Sequence, residues 1–64
     1  MAIKNEMLAV GREGFVKVNG LEISIIIRDV RIRPQEVDYL IEPTAGQGKV
    51  WIDAHEVRIM GWSV

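Results

Sequence analysis

The chain has 64 residues, a net charge of -1 and no cysteine. This length accommodates one domain, and a chain so short buries only about 60% of the surface that it exposes when unfolded. Without cysteines there are no disulfides or thiolate metal sites to supplement the small core, so association is the expected supplement. The near balance of charges disfavours nucleic-acid binding through bulk charge, although it allows a local basic patch.

The N-terminal residues and the apolar runs carry no targeting or membrane signal. The run of three isoleucines at residues 25–27 is far too short to span a membrane. Residues 1–10 lack the apolar core of a signal peptide, so we expect a cytoplasmic protein. Their apolar spacing fits a short helix and a short strand equally well, and residues 11–14 are predicted to be a loop.

The next segment predicts a β-hairpin. Two alternating apolar runs flank Asn19-Gly20, the dipeptide most typical of a two-residue hairpin turn. That turn places Lys17 opposite Glu22 as a cross-strand ion pair. Because side chains alternate along a strand, one face collects the apolar residues of both runs. These predicted core residues are Val16, Val18, Leu21, Ile23, Ile25 and Ile27.

The apolar alternation changes parity after Ile27. The next apolar residues are Val30 and Ile32, and an uninterrupted strand would carry Asp29 and two arginines into the core at a prohibitive desolvation cost. A bulge or bend near Arg28 and Asp29 returns the apolar residues to the inside. A long strand bent in this way is how a small sheet curls into a barrel.

The second half of the chain predicts three shorter strands. Pro34-Gln35 predicts a tight turn, because proline presets the first corner position. Strands are then expected over 37–42, 49–53 and 57–60, with a loop over 43–48 and one turn of 3₁₀ helix over 54–56. Their predicted inward-facing residues are Val37, Tyr39, Ile41, Val50, Ile52, Val57 and Ile59.

The segment GKVWIDAHEVRI, residues 48–59, resembles the end of an SH3-like small barrel, in which a 3₁₀ turn joins the last two strands. The bent second strand and the glycine-bearing loop before Lys49 agree with that layout. The resemblance implies an all-β, five-stranded SH3-like barrel with a short 3₁₀ turn before the last strand. The single domain, 1–64, then consists of an N-terminal arm (1–13), the barrel (14–60) and a tail (61–64).

Two families within or near that group are similar to parts of the chain. Plasmid-borne type II dihydrofolate reductase, which builds one active pore from four barrels, is similar from Tyr39 onward. Its pore motif Val-Gln-Ile-Tyr is not preserved, because Trp51 and Asp53 replace the glutamine and the tyrosine. Its activity and cofactor are therefore not carried over. The dimeric RNA-binding carbon storage regulator family resembles the strands from Val18 to Val30, but its basic first strand has no match here.

One local basic cluster consists of Arg28, Arg31 and Arg33. These arginines could bind phosphates while Trp51 stacks on a base. The tight turn, however, places Asp38 opposite Arg31 and Glu36 opposite Arg33. We favour the interpretation that these pairs form an ordinary solvated sheet face.

The polar residues near the C-terminus give no strong catalytic or metal pattern. Asp53, His55 and Glu56 lie close together, but one histidine beside two carboxylates is a weak metal site, and Asp53 occupies the position of a cap for the 3₁₀ turn. Catalysis by His55 would need an orienting partner and a pocket. Residues 46–49 lack the first glycine and the Ser/Thr of a phosphate-binding loop. We predict no catalytic residue, metal ligand or cofactor.

Five apolar residues on neighbouring strands are predicted to point away from the core, and we call them the outer apolar face. They are Phe15, Ile26, Leu40, Trp51 and Met60. A contiguous exposed patch of this kind marks an interface, whereas residues 1–10 or Trp62 could cover it within one chain. Burial against another copy or a different protein is favoured, because association adds apolar area to the small core.

The leading functional prediction is therefore a non-enzymatic protein-binding or assembly module that self-associates through the outer apolar face. One alternative is a small nucleic-acid-binding protein that uses the three arginines. The other is an enzyme whose site exists only in the oligomer, with a pore lined by Asp53, His55 or Tyr39.

Overall fold

The structure, a computed structural model, describes residues 8–61 and is all-β. Its elements are β1 (Glu13–Val18), β2 (Leu21–Arg33), β3 (Glu36–Pro43), β4 (Val50–Asp53), the 3₁₀ turn η1 (Ala54–Glu56) and β5 (Val57–Ile59). Neighbouring strands are antiparallel, in the order β4-β3-β2-β1-β5. The predicted all-β class, five strands and 3₁₀ turn are confirmed. Closure into an SH3-like barrel stays a prediction, since within residues 8–61 no ladder joins edge strands β4 and β5.

The hairpin between β1 and β2 has the predicted turn and register. Asn19 and Gly20 have φ values of 52° and 82°, and a two-residue type I′ turn requires positive values at both positions. Lys17 accordingly lies opposite Glu22, but within residues 8–61 the two side chains do not form the predicted ion pair. The turn thus determines which side chains of β1 and β2 share a face.

The long strand β2 contains a bulge at the predicted position. Its pairing with β3 shifts between Ile27 and Asp29, which leaves Arg28 as the extra residue. The Asp29 carboxylate accepts a hydrogen bond of 2.8 Å from the backbone N–H of Val30. Because of the bulge, Val30 packs against the core instead of pointing outward.

The core lies on the inner face of the sheet, beneath its centre. The buried residues are Ala9, Val16, Ile25, Ile27, Tyr39 and Ile41. Seven further residues pack against them and are partly buried: Ile23, Val30, Val37, Ile52, Ala54, Val57 and Ile59. Eleven of these thirteen were predicted to point inward; the two alanines were not.

The predicted burial is wrong for four inner-face residues. Val18, Leu21, Ile32 and Val50 are between 41% and 68% exposed. Val18 and Leu21 flank the first turn, Ile32 adjoins the second, and Val50 begins an edge strand. At the ends of strands and at the edge of the sheet, neighbouring residues do not cover the inner face, so an inward-pointing side chain there stays exposed.

The chain before β1 also differs from the prediction. Leu8–Gly11 form a turn in which the N–H of Arg12 donates to the carbonyl of Ala9, 3.0 Å away. The N–H of Gly11 donates to the carbonyl of Ile27, and this docking brings Ala9 into the core. The helix or strand predicted over residues 1–10 falls mostly outside the described residues, as does Trp62. No helix in the described part of the chain has the length and apolar character to cross a membrane.

Candidate functional site

The outer apolar face lies opposite the core. None of its five residues belongs to the buried cluster or to the partly buried residues that pack against it. Trp51 and Met60 are 37% and 49% exposed, whereas Phe15, Ile26 and Leu40 are partly buried. A tryptophan with this much exposure presents apolar area to solvent that a partner could cover.

Strand pairing arranges these residues as a diagonal band. Leu40 and Trp51 lie directly opposite each other on β3 and β4. Ile26 is opposite Glu42, which places it diagonally from Leu40. Phe15 is opposite Ser24 and is likewise diagonal to Ile26. Polar residues therefore separate parts of the band, which is most continuous where Leu40 meets Trp51.

Met60 lies at the other end of the band. It directly follows β5, and its N–H donates to the carbonyl of Glu13 at 2.9 Å. This bond keeps Met60 beside the start of β1, across the sheet from β4. Met60 and Trp51 therefore mark opposite sides of the same face.

The predicted basic cluster is paired with carboxylates. Arg28 Nε lies 2.8 Å from Glu42 Oε1. The nearly buried Asp38 receives two guanidinium groups, with distances of 3.1 Å to Arg31 and 2.7 Å to Arg33. Arg33 also pairs with Glu36, as predicted. Three arginines thus face three carboxylates, so the cluster presents little net positive charge.

Arg31 joins the ion pairs to the outer apolar face, a contact that the sequence analysis missed. Its Cζ atom lies 4.4 Å from the centroid of the Trp51 ring, within the range of a cation–π interaction. The register contained the necessary signal: Arg31 is opposite Asp38 on β3, and Asp38 is opposite Asp53 on β4, two residues from Trp51. The two predicted sites are therefore adjacent on one surface.

Asp53 is the predicted cap of the 3₁₀ turn. Its Oδ1 atom accepts a hydrogen bond from the backbone N–H of His55 at 2.8 Å and lies 3.1 Å from His55 Nδ1. The imidazole is otherwise almost fully exposed to solvent. Among residues 8–61, no group of three or more His, Cys, Asp or Glu residues could hold a metal ion.

A cavity of about 310 Å³ lies between β1, β2, η1 and β5. Its lining residues are Phe15, Val16, Lys17, Glu22, His55, Glu56 and Arg58. Two cations and two carboxylates line it beside the histidine, so its charge selects neither an anion nor a cation.

Comparison with known proteins found no matching family model, no matching curated protein and no matching solved structure. A proposed function therefore has to rest on the geometry of residues 8–61. On one face of the sheet, the partly exposed Trp51 contacts the guanidinium of Arg31, and the ion pairs of Asp38 lie beside them.

Proposed function

We propose that this protein is a non-enzymatic assembly module, an SH3-like barrel in fold, that associates with a second copy through its outer apolar face. The observation that carries the proposal is the exposure of Trp51 and Met60 on a face that lies outside the core. Each 100 Å² of apolar surface removed from water contributes roughly 2.5 kcal/mol before the costs of association. Only a patch of several hundred Å² per subunit offsets those costs, so the contact has to extend along the band from Trp51 toward Met60.

The small core supports the same proposal. Among the described residues, Ile25 and Ile27 are the largest side chains that are fully buried. A domain of this size has little stability to spare, and a bound partner stabilises the folded state by mass action. Self-association would thus add stability to the fold as well as cover the band.

The two alternatives receive less support. Arg28, Arg31 and Arg33 are each engaged by a carboxylate, and phosphate binding would have to compete with those pairs. For an enzyme, His55 helps to line the cavity beside β5 but is almost fully exposed to solvent, and a general acid or base has to be held within reach of the proton that it transfers.

Sedimentation equilibrium of the full chain over a concentration series tests the proposal. We expect the wild type to associate and Met60→Glu or Trp51→Glu to weaken association by about tenfold or more, because each places a charge in the contact. Leu21→Glu is the matched control: Leu21 is more exposed than either residue, but it lies at the first turn on the inner face. Circular dichroism verifies that each variant is folded.

Three outcomes would overturn the proposal. The wild type stays monomeric at the highest attainable concentration, or neither variant on the face changes the association, or Leu21→Glu disrupts it equally. Fluorescence anisotropy with labelled RNA and DNA at low salt completes the comparison. Salt-sensitive binding that is lost in Arg31→Ala/Arg33→Ala would favour the nucleic-acid alternative instead.

A further inference from the structure

β4 is an edge strand whose outer side is open. Within residues 8–61 it pairs only with β3 and stands at one end of the sheet. Val50–Asp53 contains no proline and its ladder shows no bulge, two of the devices by which proteins block pairing at an edge. Val50 is exposed on the inner face and Trp51 on the outer face. Both surfaces of the strand therefore offer apolar side chains to an added strand.

We propose that β4 pairs with β4 of a second copy of this chain, antiparallel and centred on Trp51. This inference rests on the proposed self-association and adds a second, separate contact between copies, because pairing of the two β4 edges sets the outer faces side by side and not against each other. In this register Trp51 lies opposite the partner's Trp51, and Val50 lies opposite the partner's Ile52. One residue further out, Lys49 lies opposite the partner's Asp53. The Trp51 pair lies on the two-fold axis, and the other two kinds of pair recur on its other side.

The sequence KVWID is self-complementary only in this register. Directly opposite residues of an antiparallel pair point to the same face of the sheet, and side chains alternate between faces along each strand. If the outer faces of both copies are on the same side, odd-numbered residues must therefore pair with odd-numbered residues and even-numbered with even-numbered. A register centred on Val50 sets Ile52 against the partner's Gly48. One centred on Ile52 sets Trp51 against the partner's Asp53. The register centred on Trp51 matches aromatic with aromatic, β-branched with β-branched and cation with anion, the combinations that stabilise sheets.

The charged ends of the segment are available for these pairs. Lys49 forms no ion pair with another residue of 8–61. Asp53 uses Oδ1 for both of its contacts with His55, which leaves Oδ2 for the partner's Lys49. Trp51 is ordered beforehand by Arg31, 4.4 Å from its ring. An ordered side chain loses less conformational entropy when the second copy binds.

A charge-exchange experiment tests the pairing. In Lys49→Asp alone, the new aspartate opposes the partner's Asp53; in Asp53→Lys alone, the new lysine opposes the partner's Lys49. We expect each variant to weaken self-association by about tenfold, and an equimolar mixture to recover it as a one-to-one heterodimer with two opposite-charge pairs. An unchanged dissociation constant for Lys49→Asp, or a mixture that binds no more tightly than its components, would overturn the pairing.

Asp53→Lys also removes the cap of the 3₁₀ turn, so single cysteines provide a second test of the register that leaves Asp53 in place. The chain has no cysteine of its own, and opposing Cα atoms in an antiparallel pair are about 4.5–5.5 Å apart, within the span of a disulfide. Trp51 is kept, because the register is centred on it. Under mild oxidation an equimolar mixture of Val50→Cys and Ile52→Cys, which oppose each other across the contact, should form disulfide-linked dimers readily, while Val50→Cys alone should do so at least about tenfold more slowly. Equal cross-linking of the mixture and of Val50→Cys alone, or no cross-linking of the mixture, would contradict the register.

Failure of this inference is distinguishable from failure of the proposed function. Lys49→Asp probes the edge of β4, whereas Met60→Glu probes the face at the opposite side of the sheet. Association that survives Lys49→Asp but not Met60→Glu would remove the strand pairing and keep the face contact. The reverse result would keep the strand pairing and remove the face contact, and a monomeric wild type would remove both.

Discussion

The guanidinium of Arg31 lies over the indole ring of Trp51, with 4.4 Å between Cζ and the ring centroid. The same group donates hydrogen bonds of 3.3 Å and 3.1 Å from Nε and Nη2 to Asp38 Oδ2. Arg31 thus connects a nearly buried carboxylate on β3 to the exposed aromatic on β4. The ion pairs therefore hold in place the aromatic at the centre of the proposed contact.

Replacing Arg31 by alanine should uncover Trp51. We expect a loss of about 0.5–1 kcal/mol in the free energy of unfolding, since the cation–π contact is modest, Arg31 is about half exposed, and Asp38 keeps its pair with Arg33. Acrylamide quenching should also increase, measured with Trp62→Phe so that the signal comes from Trp51 alone. The control is Arg33→Ala, which removes the other cation on Asp38 but leaves the indole covered. Equal quenching in both variants would argue against the stacking.

Asp38 should matter more to stability than the exposed carboxylate on the same strand. It is nearly buried and bound by two guanidinium groups, so Asp38→Asn should cost about 1–2 kcal/mol in urea unfolding. The expected loss of stability is moderate because both arginines are about half exposed and can be hydrated once the pair is broken. Glu36→Gln, which breaks an exposed pair with Arg33, should cost at most about 0.5 kcal/mol. Comparable losses would mean that burial adds nothing at Asp38.

Gly14 permits the close approach of β1 and β5. It is paired with Ile59, and a Cβ atom at this position would overlap the backbone carbonyl of Arg58. Gly14→Ala should therefore displace β5 and cost about 1–3 kcal/mol, with a selective loss of amide hydrogen-exchange protection in Val57–Ile59. Gly46→Ala is the control, since its Cβ would meet only Pro43 at ordinary contact distance. Unchanged protection of β5 would contradict the proposed clash.

The features predicted correctly from the sequence are those that local backbone rules determine. Asn19-Gly20 specified the hairpin register, and the parity change after Ile27 placed the bulge at Arg28. The pairing of Arg31 with Asp38 followed from the tight turn before β3. Each of these inferences needed only the alternation of side chains and the length of a turn.

The features that were missed depend on how strands overlap in three dimensions. Ala9 carries no periodic signal, yet the docking of Gly11 on Ile27 buries it. Alternation assigns Ile32 to the core but contains no information about which neighbouring residues cover the inner face at the end of β2. Arg31 on β2 contacts Trp51 on β4 across the intervening strand β3. Predicting this contact required the register of β2 with β3 and that of β3 with β4 together.

Ile27 and Ile32 should differ in their contribution to stability, although alternation assigns both to the core. Once the bulge is counted, both point inward, yet Ile27 is fully buried and Ile32 is 41% exposed. Ile27→Val should cost about 0.5–1.5 kcal/mol, because it removes a methyl group from a packed site. Ile32→Val should change stability by less than about 0.5 kcal/mol, because solvent already reaches the site. Urea unfolding of both variants, at a concentration too low for association, makes the comparison within a single chain. Equal losses of stability would show that burial extends to the end of β2 and would contradict the exposure of Ile32.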